Sequence, residues 1–242
     1  LDRQIYVDTG FGTVPVIQLN HCTSDIFDFL KIPYYLLTNH RFANAYTGLF
    51  PRNAARDADD WRAIWQAAPL DRSFMFERRP EPYHSVKWPA RNIIGLCAWR
   101  TQFAEAFDGP GTERLGRSWS GAPPRWDLPD WHLDKLMYLD GRCRQIGAIE
   151  NTHQVNYITE KIFDAFACGA VPLYSASERH RLADFALAEG SWINLFGLTP
   201  DAASETCVKW QADRARAVAY CETQRSLARR FSDPQNWLTE RE

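Results

Sequence analysis

The order of apolar segments along the chain predicts an α/β fold built on a doubly wound parallel sheet. Between residues 93 and 231, short apolar runs typical of buried strands alternate with amphipathic stretches typical of helices. This alternation places the strands side by side in parallel and covers both faces of the sheet with helices. The chain has 242 residues, of which 45% are hydrophobic, so it can fill the core that such a sheet requires.

The first 92 residues predict a smaller α/β unit, which we expect to be incomplete because the sequence does not begin with methionine. The predicted strands of this unit span residues 4–7, 14–19, 34–37 and 73–76. Residues 57–68 predict a helix, because three aspartates fall in its first turn and Trp61 and Trp65 share one apolar face. The proline-rich segment at residues 79–89 is typical of a linker and sets the predicted domain boundary after residue 92.

The second unit, residues 93–242, is predicted to bring several polar side chains to one edge of its sheet. The predicted strands span residues 93–98, 145–149, 170–174 and 192–195. The predicted helices span residues 100–107, 157–168, 177–187 and 200–231. Ligands of doubly wound folds bind at the carboxyl ends of the strands, which here fall near Arg100, Glu150 and Tyr174.

Composition and charge argue against several classes of partner and location. Basic and acidic residues number 28 and 30, which gives a net charge of −2 and argues against binding to nucleic acid. The longest apolar stretch, residues 93–99, is far shorter than the roughly 20 residues of a membrane span. None of the six cysteines forms a Cys-x-x-Cys pair, and we expect them to be reduced. We therefore expect a cytoplasmic protein, either free or peripheral to an inner membrane.

The first turn of the helix predicted at residues 157–168 carries the most informative side chains. Tyr157, Thr159, Glu160 and Lys161 are crowded there. A lysine at a helix N-terminus opposes the helix dipole, and a bound anion such as a phosphate would reverse that penalty. Glu160 beside it can accept hydrogen bonds from sugar hydroxyls. The alternative is an ordinary surface turn in which Glu160 and Lys161 both point to solvent, and the local pattern does not separate the two.

Residues 147–174 resemble the signature of the α-1,3/1,4-fucosyltransferases, which form glycosyltransferase family 10. The resemblance rests on Glu150-Asn151, on Tyr157-Ile-Thr-Glu-Lys161 at the expected spacing, and on Val171-Pro172 in the strand that follows. A weaker resemblance extends from residue 93 to residue 231.

The resemblance implies an enzyme that transfers fucose from GDP-fucose to a glycan hydroxyl with inversion at the anomeric carbon. Its architecture would be GT-B-like, with residues 1–92 as the acceptor-side domain and residues 93–242 as the GDP-fucose domain. The acceptor would be an oligosaccharide or a lipopolysaccharide-type precursor in a bacterium. We expect no tightly bound cofactor: a divalent metal can accompany the diphosphate, but no histidine pair has the spacing of protein metal ligands. The alternatives are an enzyme of the same fold that uses another nucleotide sugar, and a non-catalytic glycan- or nucleotide-binding module.

The resemblance also implies roles for individual residues. The donor-binding residues would be Arg100, Glu150, Asn151, Tyr157, Thr159, Glu160 and Lys161. Arg100 and Lys161 would hold the phosphates and stabilise the negative charge that grows on the departing GDP, which gives them a catalytic role. Tyr157 would donate to a phosphate or to the fucose, and Glu160 would accept from the ribose hydroxyls. Asn151 would position the sugar or a phosphate, with the preceding glutamate supporting its loop.

The general base and the acceptor site are less well defined by the sequence. Members of the family use a carboxylate of the N-terminal domain as the base. Glu77, at a predicted strand end, is the candidate here and Asp8 is a second one, while a solvated surface carboxylate is the competing interpretation of both. Trp119, Trp126 and Trp131 lie in or beside a proline-rich stretch, where they either stack on acceptor sugar rings or pack a long loop.

Overall fold

The computed structural model describes residues 3–18, 40–89, 93–119 and 127–232. Its helices are α1 (His40–Ala54), α2 (Ala58–Ala67), α3 (Cys97–Glu105), α4 (Trp131–Leu139), α5 (Glu160–Ala167), α6 (Pro200–Lys209) and α7 (Arg214–Phe231). Its strands are β1 (Arg3–Asp8), β2 (Thr13–Gln18), β3 (Leu70–Met75), β4 (Lys87–Trp88), β5 (Ile93–Gly95), β6 (Thr112–Leu115), β7 (Cys143–Gly147), β8 (Thr152–His153), β9 (Val171–Tyr174) and β10 (Ile193–Asn194). The predicted α/β class is confirmed, because helices flank a sheet of five parallel strands.

The five-stranded sheet has the order β6-β3-β7-β9-β10, and every neighbouring pair is parallel. Numbered by their order along the chain, these strands run 2-1-3-4-5, which is the order of flavodoxin-like doubly wound folds. The order of strands reverses between β3 and β7, so the carboxyl ends of these two strands flank the topological switch point. Ligands of such folds bind in the crevice at this point.

Large aromatic side chains hold the helices against the sheet and against each other. Phe74 of β3 lies 5.5 Å from Phe103 of α3, measured between ring centroids. On α2, Trp61 and Trp65 are fully buried and contact Tyr220 of α7 at centroid distances of 4.9 and 5.0 Å. The predicted apolar face of this helix is therefore confirmed as part of the core.

The helix predicted at residues 57–68 is confirmed as α2, with Asp57 as its N-cap. The Asp57 carboxylate accepts hydrogen bonds from the backbone N–H groups of Asp59 and Asp60 at 2.8 and 2.9 Å. The Asp60 carboxylate accepts in return from the Asp57 backbone N–H at 3.0 Å. This reciprocal capping box satisfies backbone donors that the first turn of a helix leaves free, so the local sequence sets where α2 begins.

The prediction of a buried strand at residues 93–98 within the parallel sheet is wrong. Only residues 93–95 form a strand, β5, and it pairs antiparallel with β4 and β8 in a separate three-stranded sheet. An interior position of that sheet belongs to β3, which hydrogen-bonds to both β6 and β7. Along the chain, the predicted boundary after residue 92 therefore falls between β3 and its two partner strands, β6 and β7.

Other segments also differ from the predicted elements. Helix α1 covers residues for which no element is predicted, and α4 begins at Trp131, in the stretch interpreted as a proline-rich loop. Residues 177–187 contain a 3-10 turn, Arg181–Phe185, in place of a full helix. The predicted long C-terminal helix is divided into α6, capped by Thr199 as predicted, and α7. The strand predicted at residues 34–37 lies outside the described residues.

The strands predicted at residues 4–7 and 14–19 are confirmed as β1 and β2, which form an antiparallel hairpin. Within the described ranges, no helix combines the length and the apolar character needed to cross a membrane. The cysteines in these ranges are unpaired and buried: Cys97, Cys143, Cys168, Cys207 and Cys221.

Candidate functional site

The connection from β7 to α5 builds a buried ion pair at the carboxyl edge of the sheet. Glu150 follows β7, and its side chain is 3% exposed. Its Oε1 atom accepts from the backbone N–H of Thr159 at 2.7 Å and from the Thr159 hydroxyl at 2.8 Å. Its Oε2 atom lies 2.9 Å from Nζ of Lys161. Because Thr159 immediately precedes α5, Glu150 ties the strand end to the helix start.

Lys161 lies in the first turn of α5, where carboxylates of the chain itself surround it. Its Nζ donates to the Thr159 hydroxyl at 2.8 Å and to Oε1 of Glu160 at 3.5 Å. The side chains of Lys161 and Glu160 are 21% and 13% exposed, so the alternative in which both point to solvent is wrong. Burial lowers the pKa of Lys161, but Glu150 and Glu160 outweigh that effect and raise it above its usual value. The unfavourable interaction of Lys161 with the helix dipole is thus offset by Glu150 and Glu160.

The ends of β7 and β9 meet where the side chains of Glu150 and Tyr174 are buried. Burial raises the pKa of Glu150, and the opposing effect of Lys161 is smaller. The hydroxyl of Tyr174, at the end of β9, donates to Oε1 of Glu150 at 3.5 Å. Burial also raises the pKa of Tyr174 well above its usual value, which keeps this hydroxyl neutral.

Arg100 is a buried cation at the topological switch point. It is 3% exposed, and within the described residues no carboxylate lies within ion-pair distance of its guanidinium. One N–H group donates to the carbonyl of Ile149 at 3.3 Å, and Nε has no hydrogen-bond partner among these residues. The guanidinium lies 4.6 Å from the centroid of the Phe76 ring. Burial lowers the pKa of Arg100, although nearby Cys97 and Glu150 oppose the change.

Two neighbours of Arg100 fix its position in the fold. Phe76 follows β3 and Ile149 lies just beyond β7, so the guanidinium sits between the ends of the two strands that flank the switch point. The predicted donor residues Asn151 and Tyr157 lie on the segment between β7 and α5, where Asn151 is exposed and Tyr157 is half-buried. The Asn151 carbonyl accepts from the backbone N–H that precedes α3, at 2.9 Å.

Glu77, the candidate base, follows β3 at the same edge of the sheet, and two arginines hold its carboxylate. Oε2 accepts from Nε of Arg79 at 3.0 Å, and Oε1 accepts from Nε of Arg117 at 2.6 Å. Burial raises the pKa of Glu77, but the hydrogen bonds from Arg117 and Arg79 outweigh it and bring the pKa below its usual range. Asp8, the second candidate, accepts from the backbone N–H of Gly10 in the turn of the β1–β2 hairpin.

Of the tryptophans assigned to the acceptor, Trp119 and Trp131 lie in different parts of the described chain. Trp119 follows β6 and is half-buried against Phe76, 6.3 Å away between ring centroids, with the Arg78 guanidinium 5.7 Å from its ring. Trp131 begins α4. Trp126 lies outside the described residues.

A buried charged cluster on α1, α4 and α5 is the feature that the sequence interpretation missed. Asp164, whose side chain is 1% exposed, accepts from the Tyr46 hydroxyl at 2.6 Å and lies 2.7 Å from Nε2 of His132. Its other oxygen lies 2.8 Å from Nζ of Lys135. Burial would raise the pKa of Asp164, but Lys135 and His132 lower it to about 2. An acidic residue inside the apolar run of α5 was the available signal.

Two stacked histidines connect the end of β8 to the segment after β9. The rings of His153 and His180 lie 5.4 Å apart, and His153 is 4.7 Å from the ring of Phe196. Both histidines are buried. Burial lowers the pKa of His153, while burial together with the neighbouring His153 lowers the pKa of His180 to about 4. Both rings are therefore neutral at pH 7.

Two further observations concern metal ions and cavities in the described part of the chain. In the described ranges, no group of three or more His, Cys, Asp or Glu side chains is arranged to hold a metal ion. A cavity of about 250 Å³ lies at the amino ends of β7 and β9, lined by Trp61, Gly141 and Gly169 among others. This cavity is at the opposite edge of the sheet from Arg100.

Comparison with known proteins assigns no family to the chain. No model of a known protein family matches it, and no curated protein is significantly similar to it. Fold and site together define an α/β protein with a flavodoxin-like strand order and a buried cation at the switch point.

Proposed function

We propose that the chain binds the diphosphate of a nucleotide sugar at the switch point and transfers the sugar to a glycan hydroxyl. The observation that carries the proposal is the Arg100 guanidinium, which is buried at the strand ends without a carboxylate partner among the described residues. An uncompensated buried charge destabilises a fold by several kcal/mol. A bound phosphate would remove that penalty through charge-assisted hydrogen bonds.

Lys161 would supply a second cation to the same diphosphate. Its Nζ lies 2.9 Å from Glu150, so a phosphate oxygen would share the ammonium group with that carboxylate. Negative charge grows on the diphosphate as the bond to the sugar breaks, and fixed cations stabilise it without reorganisation. Arg100 and Lys161 would therefore act more strongly on the transition state than on the bound substrate.

The identity of the sugar comes from the resemblance of residues 147–174 to the α-1,3/1,4-fucosyltransferases. It leads us to propose GDP-fucose as donor, an inverting displacement and a GT-B-type arrangement with a glycan or lipopolysaccharide-type acceptor. The base would be Glu77, which follows Phe76, the residue on which Arg100 stacks. Donor diphosphate and base would then both lie at the carboxyl end of β3.

Calorimetric titration with GDP tests the donor site. We expect wild type to bind GDP and Arg100→Met to bind it at least tenfold more weakly, because one charge-assisted hydrogen bond contributes about 1.5–3 kcal/mol. Arg72→Met is the matched control: Arg72 also stacks on a phenylalanine, Phe107, at 4.6 Å, but it lies on the amino-terminal half of β3. We expect that control to keep its affinity for GDP within about twofold.

The two outcomes that would overturn the donor assignment are absence of GDP binding in folded wild type and equal losses in both arginine variants. Thermal melting of each variant verifies that it is folded. Competition by UDP and ADP separates a guanine-specific site from one that accepts another nucleotide sugar.

A non-catalytic nucleotide-binding module is the second candidate, and the state of Glu77 favours it. Both oxygens of that carboxylate accept from arginines, and its lowered pKa makes it a weak base. Incubation with GDP-fucose and a panel of glycans decides between the two. Release of GDP that depends on the acceptor supports the transferase, and GDP binding without turnover on any acceptor supports the module.

A further inference from the structure

The carboxylate of Glu77 occupies a site built from two arginine side chains. Arg79 donates to Oε2 through Nε at 3.0 Å and through a terminal nitrogen at 2.5 Å. Arg117 donates to Oε1 through Nε at 2.6 Å and also contacts it through a terminal nitrogen. Each arginine thus directs two N–H groups at one oxygen, and the two guanidinium groups together hold both oxygens of the carboxylate.

The backbone holds both arginines in place independently of Glu77. The N–H group of Arg79 donates to the hydroxyl of Thr101 at 2.9 Å, and the carbonyl of Arg117 accepts from the N–H group of Arg78 at 3.0 Å. Gly116 makes the second contact feasible: it has φ of +121°, and a Cβ there would lie 2.6 Å from the carbonyl oxygen of Phe76. The two guanidinium groups therefore start from backbone positions set by the fold.

The charges at this site do not balance, and the site is open to solvent on one side. Arg79 and Arg117 carry two positive charges against the single charge of Glu77. The side chain of Arg117 is 66% exposed, that of Arg79 34% and that of Glu77 24%. Burial is the largest cause of the lowered pKa of Arg100 and the charge of Arg79 adds to it, so Arg79 lies near the proposed diphosphate site.

We propose that Arg79 and Arg117 form a second anion-binding site that recognises a carboxylate on the acceptor. In the absence of the acceptor, the carboxylate of Glu77 occupies this site. This inference rests on the proposed function. A carboxylate fits better than a phosphate, because the arginine pair already holds a planar carboxylate with two N–H groups on each oxygen. The substrate class is therefore an acidic glycan, such as one that contains a uronic acid.

Exchange of the two carboxylates would couple acceptor binding to the base. An acceptor carboxylate on the arginine pair would release Glu77 from the hydrogen bonds that lower its pKa. The freed side chain, which follows β3 at the edge that carries Arg100, would then be a stronger base for an acceptor hydroxyl. No covalent bond is made or broken in this exchange: the hydrogen bonds from the arginines to Glu77 are replaced by hydrogen bonds to the acceptor carboxylate.

Titrations with three small probes test the site: glucuronate, neutral glucose and glucose 6-phosphate, each with wild type, Glu77→Gln and Arg117→Ala. We expect wild type to bind glucuronate and not glucose, with Glu77→Gln binding it about tenfold more tightly, since the competing charge is gone. Arg117→Ala should lose glucuronate binding. Glu105→Gln is the matched control, because Glu105 pairs with the adjacent Arg78 and should leave the affinity unchanged.

The inference is overturned by equal affinity in wild type and Glu77→Gln, by retained binding in Arg117→Ala, or by a preference for glucose 6-phosphate over glucuronate. GDP titrations of the same samples distinguish failure of this inference from failure of the proposed function. If wild type binds GDP but not glucuronate, the acidic acceptor alone is rejected, whereas absence of GDP binding in wild type rejects the donor site.

Discussion

Replacement of Asp164 by asparagine removes the anion at the centre of the buried cluster on α1, α4 and α5. In wild type, the ammonium group of Lys135 lies 2.8 Å from an oxygen of Asp164, and the variant removes this counter-ion. Breaking a buried ion pair in this way costs about 3–5 kcal/mol. We expect Asp164→Asn to be less stable than wild type by roughly that amount at pH 7.

The pKa of Asp164 makes this loss depend on pH. Its pKa is 3.8 in its ordinary state and about 2 in the fold, a difference that corresponds to roughly 2 kcal/mol. Because the folded pKa is the lower one, the stabilisation is complete above pH 4 and disappears as the pH falls through 2. The difference in unfolding free energy between wild type and Asp164→Asn should therefore shrink by roughly 2 kcal/mol between pH 5 and pH 2.

Urea unfolding at several pH values measures this difference. Asp140→Asn serves as control, because Asp140 pairs with Arg52 where both side chains are about one-third exposed, and such a pair contributes about 0–1 kcal/mol. Adding Lys135→Met to Asp164→Asn should restore part of the stability, since the unpaired ammonium is then gone. A difference between wild type and Asp164→Asn that is the same at pH 5 and pH 2 would refute the reasoning.

Two further predictions concern the histidine pair and a glycine. Burial and His153 lower the pKa of His180 to about 4, so its neutral form stabilises the fold fully above pH 6.5 and less as the pH falls towards 4. In urea unfolding, the stability advantage of wild type over His180→Gln should narrow across that window, and a constant advantage would contradict the assignment. Gly116→Ala should lower the stability of the fold by more than about 2 kcal/mol. The new Cβ would clash with the Phe76 carbonyl, and alanine would have to adopt the strained positive φ of Gly116. Gly109→Ala has φ of +97° but no atom within 4 Å of the added Cβ, so thermal melting should show a smaller loss.

Residues close together in the sequence account for the part of the site that could be predicted. Glu150, Thr159 and Lys161 lie within one strand-to-helix connection, so their sequence pattern alone indicates that they share a site. The pattern did not indicate that Glu150 itself neutralises Lys161. That contact depends on the path of the connection, which folds back so that Glu150 accepts from the Thr159 backbone N–H at 2.7 Å.

Residues far apart in the sequence account for the part that could not be predicted. The partners of Asp164 come from α1 and α4, 118 and about 30 residues away, and Arg117, which donates to Glu77, follows β6 and is 40 residues away. Contacts of this kind require two segments to pack together, and the sequence of one segment does not specify which other segment packs against it.

The sequence by itself determined the α/β class, the start of α2 and the clustering of charge at α5. Those properties follow from hydrophobic periodicity and capping, which act over a few residues. Only the tertiary structure decided that β3 lies inside the sheet between β6 and β7, that Arg100 lies buried between the ends of β3 and β7, and that Glu77 is held by arginines. The physical reason is that strand order and burial depend on pairing across the whole sheet, where β6 and β7 hydrogen-bond to opposite sides of β3 and so place it inside the sheet.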